Sequence, residues 1–296
     1  MDFTTIIYTV SERIATITLN RPAARNGFTL AMADELNAAL NAAESDDYVR
    51  VVVVRAAGHH FCVGMDMNDD STIGAVEDPL WDEPATRIAR PIAELNKPVI
   101  VAIQGAAVGA GVSMTLPADF RLAADDARFG FVFARRGLFP EGGSLWFLPQ
   151  LVGLGKAKEW MISGRIISAE EAFDAGLVTS IHPRDELWSA AETLAREIAE
   201  HVAPVSAAVI RRGLTAMAAW GSAEAAFAID RQTIPYAFTS EDMTEGIASF
   251  LEKRPPRFRG VARNVVSRFP WLNTKRQEWP QQPWVNGAPA SEEKQR

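Results

Sequence analysis

The sequence predicts an α/β fold, on three observations. Two purely apolar runs of strand length, Val51-Val52-Val53-Val54 and Val99-Ile100-Val101-Ala102-Ile103, have no polar face. Such runs suit strands covered on both sides by helices. Near them the apolar period changes to that of a helix, with Met32, Leu36 and Leu40 on one face. Each run is also followed by a short glycine-containing turn, and strand–helix alternation of this kind argues α/β.

Taken in order, Ala15, Ile17 and Leu19 alternate with Thr16 and Thr18, the pattern of a half-buried strand. A helix begins at Thr29, and Ala43 extends its apolar face. Pro98 to Ala118 carries no charge and has the length of a membrane span. Gln104-Gly105 interrupts it, Ala and Gly dominate, and Pro117 closes it, so a buried strand, a turn and a buried helix are expected there. The second half is helix-rich. Ser168-Ala169-Glu170-Glu171 fits a capping box with Gly176 as the matching stop. Leu187, Ala191, Leu194, Ile198 and Val202 mark an amphipathic helix, and Pro204 suits the first turn of the next. Ser240 with Glu241 and Asp242 opens the last clear helix, which Lys253-Arg254 and Pro255-Pro256 close. Beyond Gly260 the pattern fades into Trp271, Trp279 and Trp284 interleaved with Pro270, Pro280 and Pro283. This arm is expected to pack on its own core or on a neighbouring subunit. No repeat of solenoid period is present.

The chain has 296 residues, and 30 Lys and Arg against 37 Asp and Glu give a net charge of −7. That balance argues against nucleic acid as a partner. The stretch holding Lys253, Arg254, Arg257, Arg259, Arg263 and Arg268 is locally basic, either an anion site or a solvated face. Cys62 is the only cysteine, so no intrachain disulfide can form and a reducing, cytoplasmic setting is expected. The start has neither a basic n-region nor an apolar h-region, so no signal peptide and no membrane partner are expected. Other chemistries fail on spacing. His59-His60 stands apart from His182 and His201 with no HExxH or CxxC pattern, so no metal is expected. Gly109-x-Gly111 lacks the third glycine of a dinucleotide fingerprint, which would fall at Met114. Ser113 and Ser144 lack the Gly-x-Ser-x-Gly elbow of a serine hydrolase.

The glycine turns remain. The first is Phe61-Cys62-Val63-Gly64-Met65-Asp66 and the second Val108-Gly109-Ala110-Gly111. A strand that breaks at glycine and opens into a helix leaves backbone N–H groups without partners. With the helix dipole they form a site for developing negative charge, such as an enolate oxygen. At these residues the chain resembles the enoyl-CoA hydratase/isomerase, or crotonase, family. Asn20-Arg21-Pro22, Arg25-Asn26, Gly137-Leu138-Phe139-Pro140 and Phe250-Leu251-Glu252-Lys253-Arg254-Pro255 agree, and the match runs from Ile14 to Phe258. The resemblance implies a crotonase-like spiral of ββα units over residues 1–200, holding an acyl-CoA site. It implies a helical C-terminal trimerisation region at 201–259, with a Trp/Pro-rich extension at 260–296. It also implies an acyl-CoA thioester substrate, no cofactor beyond the coenzyme A of that substrate, and a homotrimer or hexamer.

Carried over residue by residue, the resemblance makes Met65 and Ala110 the oxyanion-hole donors. Members that hydrate with two carboxylates carry one Glu a turn into the helix after the second turn and another past a Phe-Gly pair. Ser113 and Phe133 stand at those positions, so a two-glutamate mechanism is not expected. The loop Gly137-Leu138-Phe139-Pro140-Glu141-Gly142-Gly143-Ser144 resembles one whose carboxylate faces the acyl chain in certain isomerases. Glu141 is therefore the candidate base. On the bare sequence it reads more readily as an acidic neighbour favoured by the dipole of the helix that follows, and the resemblance turns the balance toward catalysis. In an apolar pocket, desolvation would raise its pKa toward the working range. One carboxylate suffices for a suprafacial 1,3-proton shift, because the proton removed from one carbon returns to another. Hydration by Glu141 alone is the alternative reaction, and acyl-CoA binding without turnover the alternative class. Asp66 reads as structural support or a turn residue. Arg25 is either a CoA-phosphate contact or an exposed loop residue. Ala24, Gly64 and Met67 are expected to line the same groove by backbone or apolar contact, and Gly109, Ser113 and Phe133 are expected to bind substrate as well. Phe250 and Lys253 match CoA contacts, although Phe250 suits the core as well.

Overall fold

The computed structural model describes residues 2–66, 83–220, 223–264 and 268–269. Met67 and the three tryptophans of the C-terminal extension lie outside them.

The sequence begins with a hairpin, β1 (Ile6–Ser11) and β2 (Ile14–Leu19). Its two-residue loop, Glu12-Arg13, has φ of 51° and 65°, the left-handed pair that matches strand twist in tight hairpins. To β2 are added, all in parallel, β3 (Val51–Ala56), β4 (Val99–Ile103), β6 (Phe120–Ala124) and β9 (Ser180–His182), in the order β1-β2-β3-β4-β6-β9. A smaller sheet joins β5 (Ala106–Val108), β7 (Arg128–Gly130) and β8 (Ile166–Ser168).

The apolar runs are explained by two-sided burial. Val52, Val54, Val99, Val101 and Ile103 share one core with Met32, Leu36 and Leu40 of α1 (Leu30–Ser45) and with Ile88 and Ile92 of α2 (Thr86–Glu94). Val51, Val53, Ile100, Ala102 and Leu122 form a second core with Leu187, Ala191 and Ile198 of α6 (Leu187–His201). Alternate residues of one strand thus feed opposite layers. Thr29 caps α1 by accepting from the Met32 N–H at 3.1 Å.

Two expectations need adjustment. Between Pro98 and Ala118 a third element intervenes, β5, because Ala106–Val108 pairs with Arg128–Gly130; the helix that follows, α3 (Ala110–Ser113), is a single turn. Among the described residues no helix is long and apolar enough to cross a membrane. The capping box before α5 (Ala169–Asp174) is half made. Ser168 accepts from the Glu171 N–H at 3.2 Å, but the Glu171 carboxylate turns instead to Arg165 (2.7 Å) and the Trp160 indole N–H (3.1 Å).

The C-terminal helices are α7 (Pro204–Trp220), α8 (Ala223–Phe238) and α9 (Glu241–Glu252). They are pegged to the sheet core by Arg211, whose buried guanidinium donates to the carbonyls of Ile92, Ala93 and Leu95 and pairs with Asp119 at 2.7 Å. Three side chains of the basic stretch that follows are engaged. Arg254 pairs with Glu245 and Glu252, Arg263 pairs with Asp47, and Arg268 lies over the Tyr236 ring.

Candidate active site

The two glycine turns meet at the C-terminal ends of β3 and β4. Residues 61–62 run as an extra rung beside β5: the Phe61 N–H donates to Gln104 O (2.8 Å), the Cys62 N–H to Ala106 O (3.0 Å), and the Val108 N–H to Cys62 O (3.0 Å). Gly64 has φ of +95° and Gly109 has φ of +54° with ψ of −124°, conformations closed to ordinary L-residues. The two turns abut so closely that a Cβ on Gly64 would lie 3.0 Å from the Val108 carbonyl oxygen.

This lacing leaves two donors over. The Gly64 carbonyl accepts from the Phe28 N–H (2.8 Å) and the Asp66 N–H donates to Phe28 O (2.9 Å), so the ladder uses the residues on either side of Met65 and turns its own N–H away. Ala110 is the first residue of α3, where no intrahelical acceptor exists. Among the described residues neither N–H has an acceptor.

A neighbouring loop braces the first turn. Asn26, fully buried with φ of +52°, accepts from the Arg21 N–H (2.8 Å) and donates to the carbonyls of Ala57 (2.9 Å) and His60 (2.8 Å). Arg21 pairs with Asp66 at 2.9 Å, which makes Asp66 a strut under Met65. Ala24 ends a 3-10 turn, Pro22–Ala24, and Arg25 beside it is exposed, so both stand on the rim of this loop.

Glu141 is partly buried between α3 and α4 (Ser144–Ser163). Its backbone carbonyl accepts from the Ser144 N–H (3.0 Å) and hydroxyl (2.6 Å). A Cβ on Gly142 would lie 3.3 Å from the side chains of Ala85 and Ser113, which places this loop against α3. It is also close enough to act on the Cys62 thiol, which burial, with Glu141 assisting, pushes up to about 12. The Glu141 carboxylate accepts no hydrogen bond and meets no cation among the described residues. Burial raises its pKa to about 7, and the Glu83 carboxylate adds to the rise.

The other positions are silent as proton carriers. The Ser113 hydroxyl is fully buried and donates to Gly109 O at 3.1 Å, and Phe133 is an apolar core residue. Phe250 and Lys253 are not brought to the turns within this chain. They sit at the end of α9, and α9 is tied through Asp242 to Arg259 and Gly260, whose carbonyl in turn accepts from Arg50, ahead of β3. That is the opposite end of the strand from the glycine turns. Among the described residues no group of three His, Cys, Asp or Glu could hold a metal ion.

Glu83 was not singled out from the sequence. It precedes α2 and accepts from the Ala85 N–H (2.7 Å), the Thr86 N–H and hydroxyl (2.8 Å each) and the Gly142 N–H (3.2 Å). The signal for it was the helix-start run Glu83-Pro84-Ala85-Thr86.

The chain is similar to known proteins over most of its length. The family model for enoyl-CoA hydratase/isomerase matches residues 9–261. A probable enoyl-CoA hydratase of Rhodobacter capsulatus is 36% identical over 264 residues, covering 88% of this chain and 100% of that protein. The 1,2-epoxyphenylacetyl-CoA isomerase of Escherichia coli is 32% identical over 259 residues, covering 86% and 98%. Among solved structures, a probable enoyl-CoA hydratase/isomerase from Mycobacterium abscessus superposes with a TM-score of 0.79 at 32% identity, covering 86% of this chain and 98% of that one.

Proposed function

The chain belongs to the enoyl-CoA hydratase/isomerase family, whose enzymes act on acyl-CoA thioesters, and on that premise we propose that it isomerises 3-enoyl-CoA to 2-enoyl-CoA with Glu141 as the only base. The thioester oxygen sits between the Met65 and Ala110 N–H groups. Glu141 takes a proton from C2, the charge spreads as a dienolate whose oxygen the two donors stabilise, and the same proton returns at C4. Donors aimed at developing charge act most strongly on the transition state.

The observation that carries this reading is the unpartnered Glu141 carboxylate beside two unpartnered N–H groups, with Ser113 and Phe133 where a second acid would stand. A pKa near 7 suits a base that must both accept and release a proton. Hydration of a 2-enoyl-CoA by Glu141 alone is the second reading, favoured by the relatives named as hydratases. Purified protein given 3-enoyl-CoA and 2-enoyl-CoA in parallel, followed by the absorbance of the conjugated thioester, separates the two. Appearance of that absorbance from the 3-enoyl substrate supports isomerisation; its loss from the 2-enoyl substrate with uptake of water supports hydration.

The same reading includes self-association through the C-terminal helices, with a trimer or a hexamer as the assembly. α7, α8 and α9 expose Leu214, Phe227, Phe238, Phe250 and Leu251, more apolar surface than a solitary helical arm requires. Light scattering of the purified protein tests it, and a monomer at micromolar concentration would overturn it.

A further inference from the structure

Glu83 spends both carboxylate oxygens on fixed donors. Oε1 accepts from the Ala85 N–H at 2.7 Å, while Oε2 accepts from the Thr86 N–H and hydroxyl at 2.8 Å. Three of these contacts cap α2, which would be a purely local role. The fourth is not local: Oε2 also accepts from the Gly142 N–H at 3.2 Å, 59 residues along the chain and directly after Glu141. Around this contact the loop is closely packed, because a Cβ on Gly142 would lie 3.3 Å from the side chains of both Ala85 and Ser113.

We propose that Glu83 is a positioning residue for Glu141, holding the Glu141–Gly142 backbone through the Gly142 N–H while standing beside the base as a fixed negative charge. The proposal rests on Glu141 being the base. Glu83 itself is committed to the protein, because its two oxygens already accept from four donors. Its charge acts on Glu141 in one direction: a second carboxylate nearby disfavours ionisation of the first.

The groups facing Glu141 come from four elements. The first turn offers Cys62, a thiol that stays neutral. From α3 comes the Ser113 hydroxyl, committed to Gly109. The start of α4 offers Ser144 and the positive end of the helix, which favours the carboxylate. The segment ahead of α2 offers Glu83, the charge that acts on Glu141. Arg21 and Asp66 beneath the first turn are paired with each other. Glu83 and burial together therefore oppose the α4 dipole.

The test is the pH profile of kcat on 3-enoyl-CoA for the unaltered protein, Glu83→Gln and Glu141→Gln. A glutamine keeps an oxygen for Gly142 and removes the charge. The expected result is a lower limb moved down by about one pH unit in Glu83→Gln, so that the fraction of the plateau rate retained at pH 6 rises about fivefold. A limb that stays in place while the rate falls equally at every pH would reduce Glu83 to a helix cap and overturn the proposal. Turnover that survives in Glu141→Gln would sink the base assignment instead. In that event ¹³C titration of labelled glutamate carboxyls, which needs no turnover, still decides the coupling: the Glu141 midpoint must fall in Glu83→Gln. Should Glu83→Gln fail to fold, the unaltered protein suffices, since the Glu83 resonance must inflect at the Glu141 midpoint. Absence of that inflection overturns the coupling.

Discussion

The carbonyl oxygen of Cys62 occupies the space that a side chain on Gly111 would need: a Cβ there would lie 2.3 Å from it. Gly111 is thus required by proximity of the two turns, whereas Gly109 is required by its backbone angles, its nearest neighbour being 3.9 Å away. Gly111→Ala must push the turns apart and is expected to cost about 1–3 kcal/mol. Gly109→Ala meets strain without crowding, about 1–2 kcal/mol. Thermal melts with kcat measured alongside check both. A Gly111→Ala protein with unchanged melting and turnover would mean that the turns are not locked together.

Replacing Glu141 by Gln removes the only candidate base while keeping its size. Turnover is expected to fall by about 10²–10⁴-fold, and a saturated acyl-CoA should still bind. Calorimetry on the variant separates loss of chemistry from loss of binding. Turnover within tenfold of the unaltered protein would exclude Glu141.

Glu141 also makes stability depend on pH. Its folded pKa, about 7, lies above the ordinary 4.5, so the folded state binds the proton more tightly. The stabilising contribution is complete below 4.5 and is lost as pH rises through 7. Ionised Glu141 at pH 8 therefore costs on the order of 1–2 kcal/mol after allowance for its access to solvent. Glu141→Gln should melt higher than the unaltered protein at pH 8, with the gap closing by pH 5. The rate runs the other way and rises through pH 7 as the base ionises.

Arg21 and Asp66 form the strut beneath the Met65 donor. Arg21→Ala removes the ion pair to the Asp66 carboxylate together with the hydrogen bond to the Gly27 carbonyl, and is expected to cost about 1–3 kcal/mol and to lower kcat. In a double-mutant cycle, Arg21→Ala and Asp66→Ala should be non-additive by at least about 0.5 kcal/mol. Strict additivity in melts of the three variants would leave the pair without a role in holding the turn.

Much of this was legible in the sequence because it depends on local rules. The two-sided burial of β3 and β4 is written in Val51–Val54 and Val99–Ile103, and the caps Thr29, Ser168 and Ser240 announce their helices. Each turn was legible as glycine after an apolar run, whereas their pairing into one site came from the resemblance. Glu83 was not, because its significance lies in a contact with Gly142 made across 59 residues, and its local sequence is that of any helix start. Strand β5 was missed for a related reason. Three residues are too few to carry a period, and only pairing with Arg128–Gly130 makes Ala106–Val108 a strand.

Arg211 carries a consequence for the order in which the molecule forms. Its acceptors, Ile92, Ala93, Leu95 and Asp119, all precede it by 92 to 119 residues. During synthesis, then, a socket of buried oxygens at the end of α2 is complete well before the guanidinium that fills it leaves the ribosome. A nascent chain halted just short of Arg211 should hold these carbonyls in water, with α2 frayed. Release of the next stretch would dry the socket and fix α2 in place, and with it the Glu83 end of the same helix.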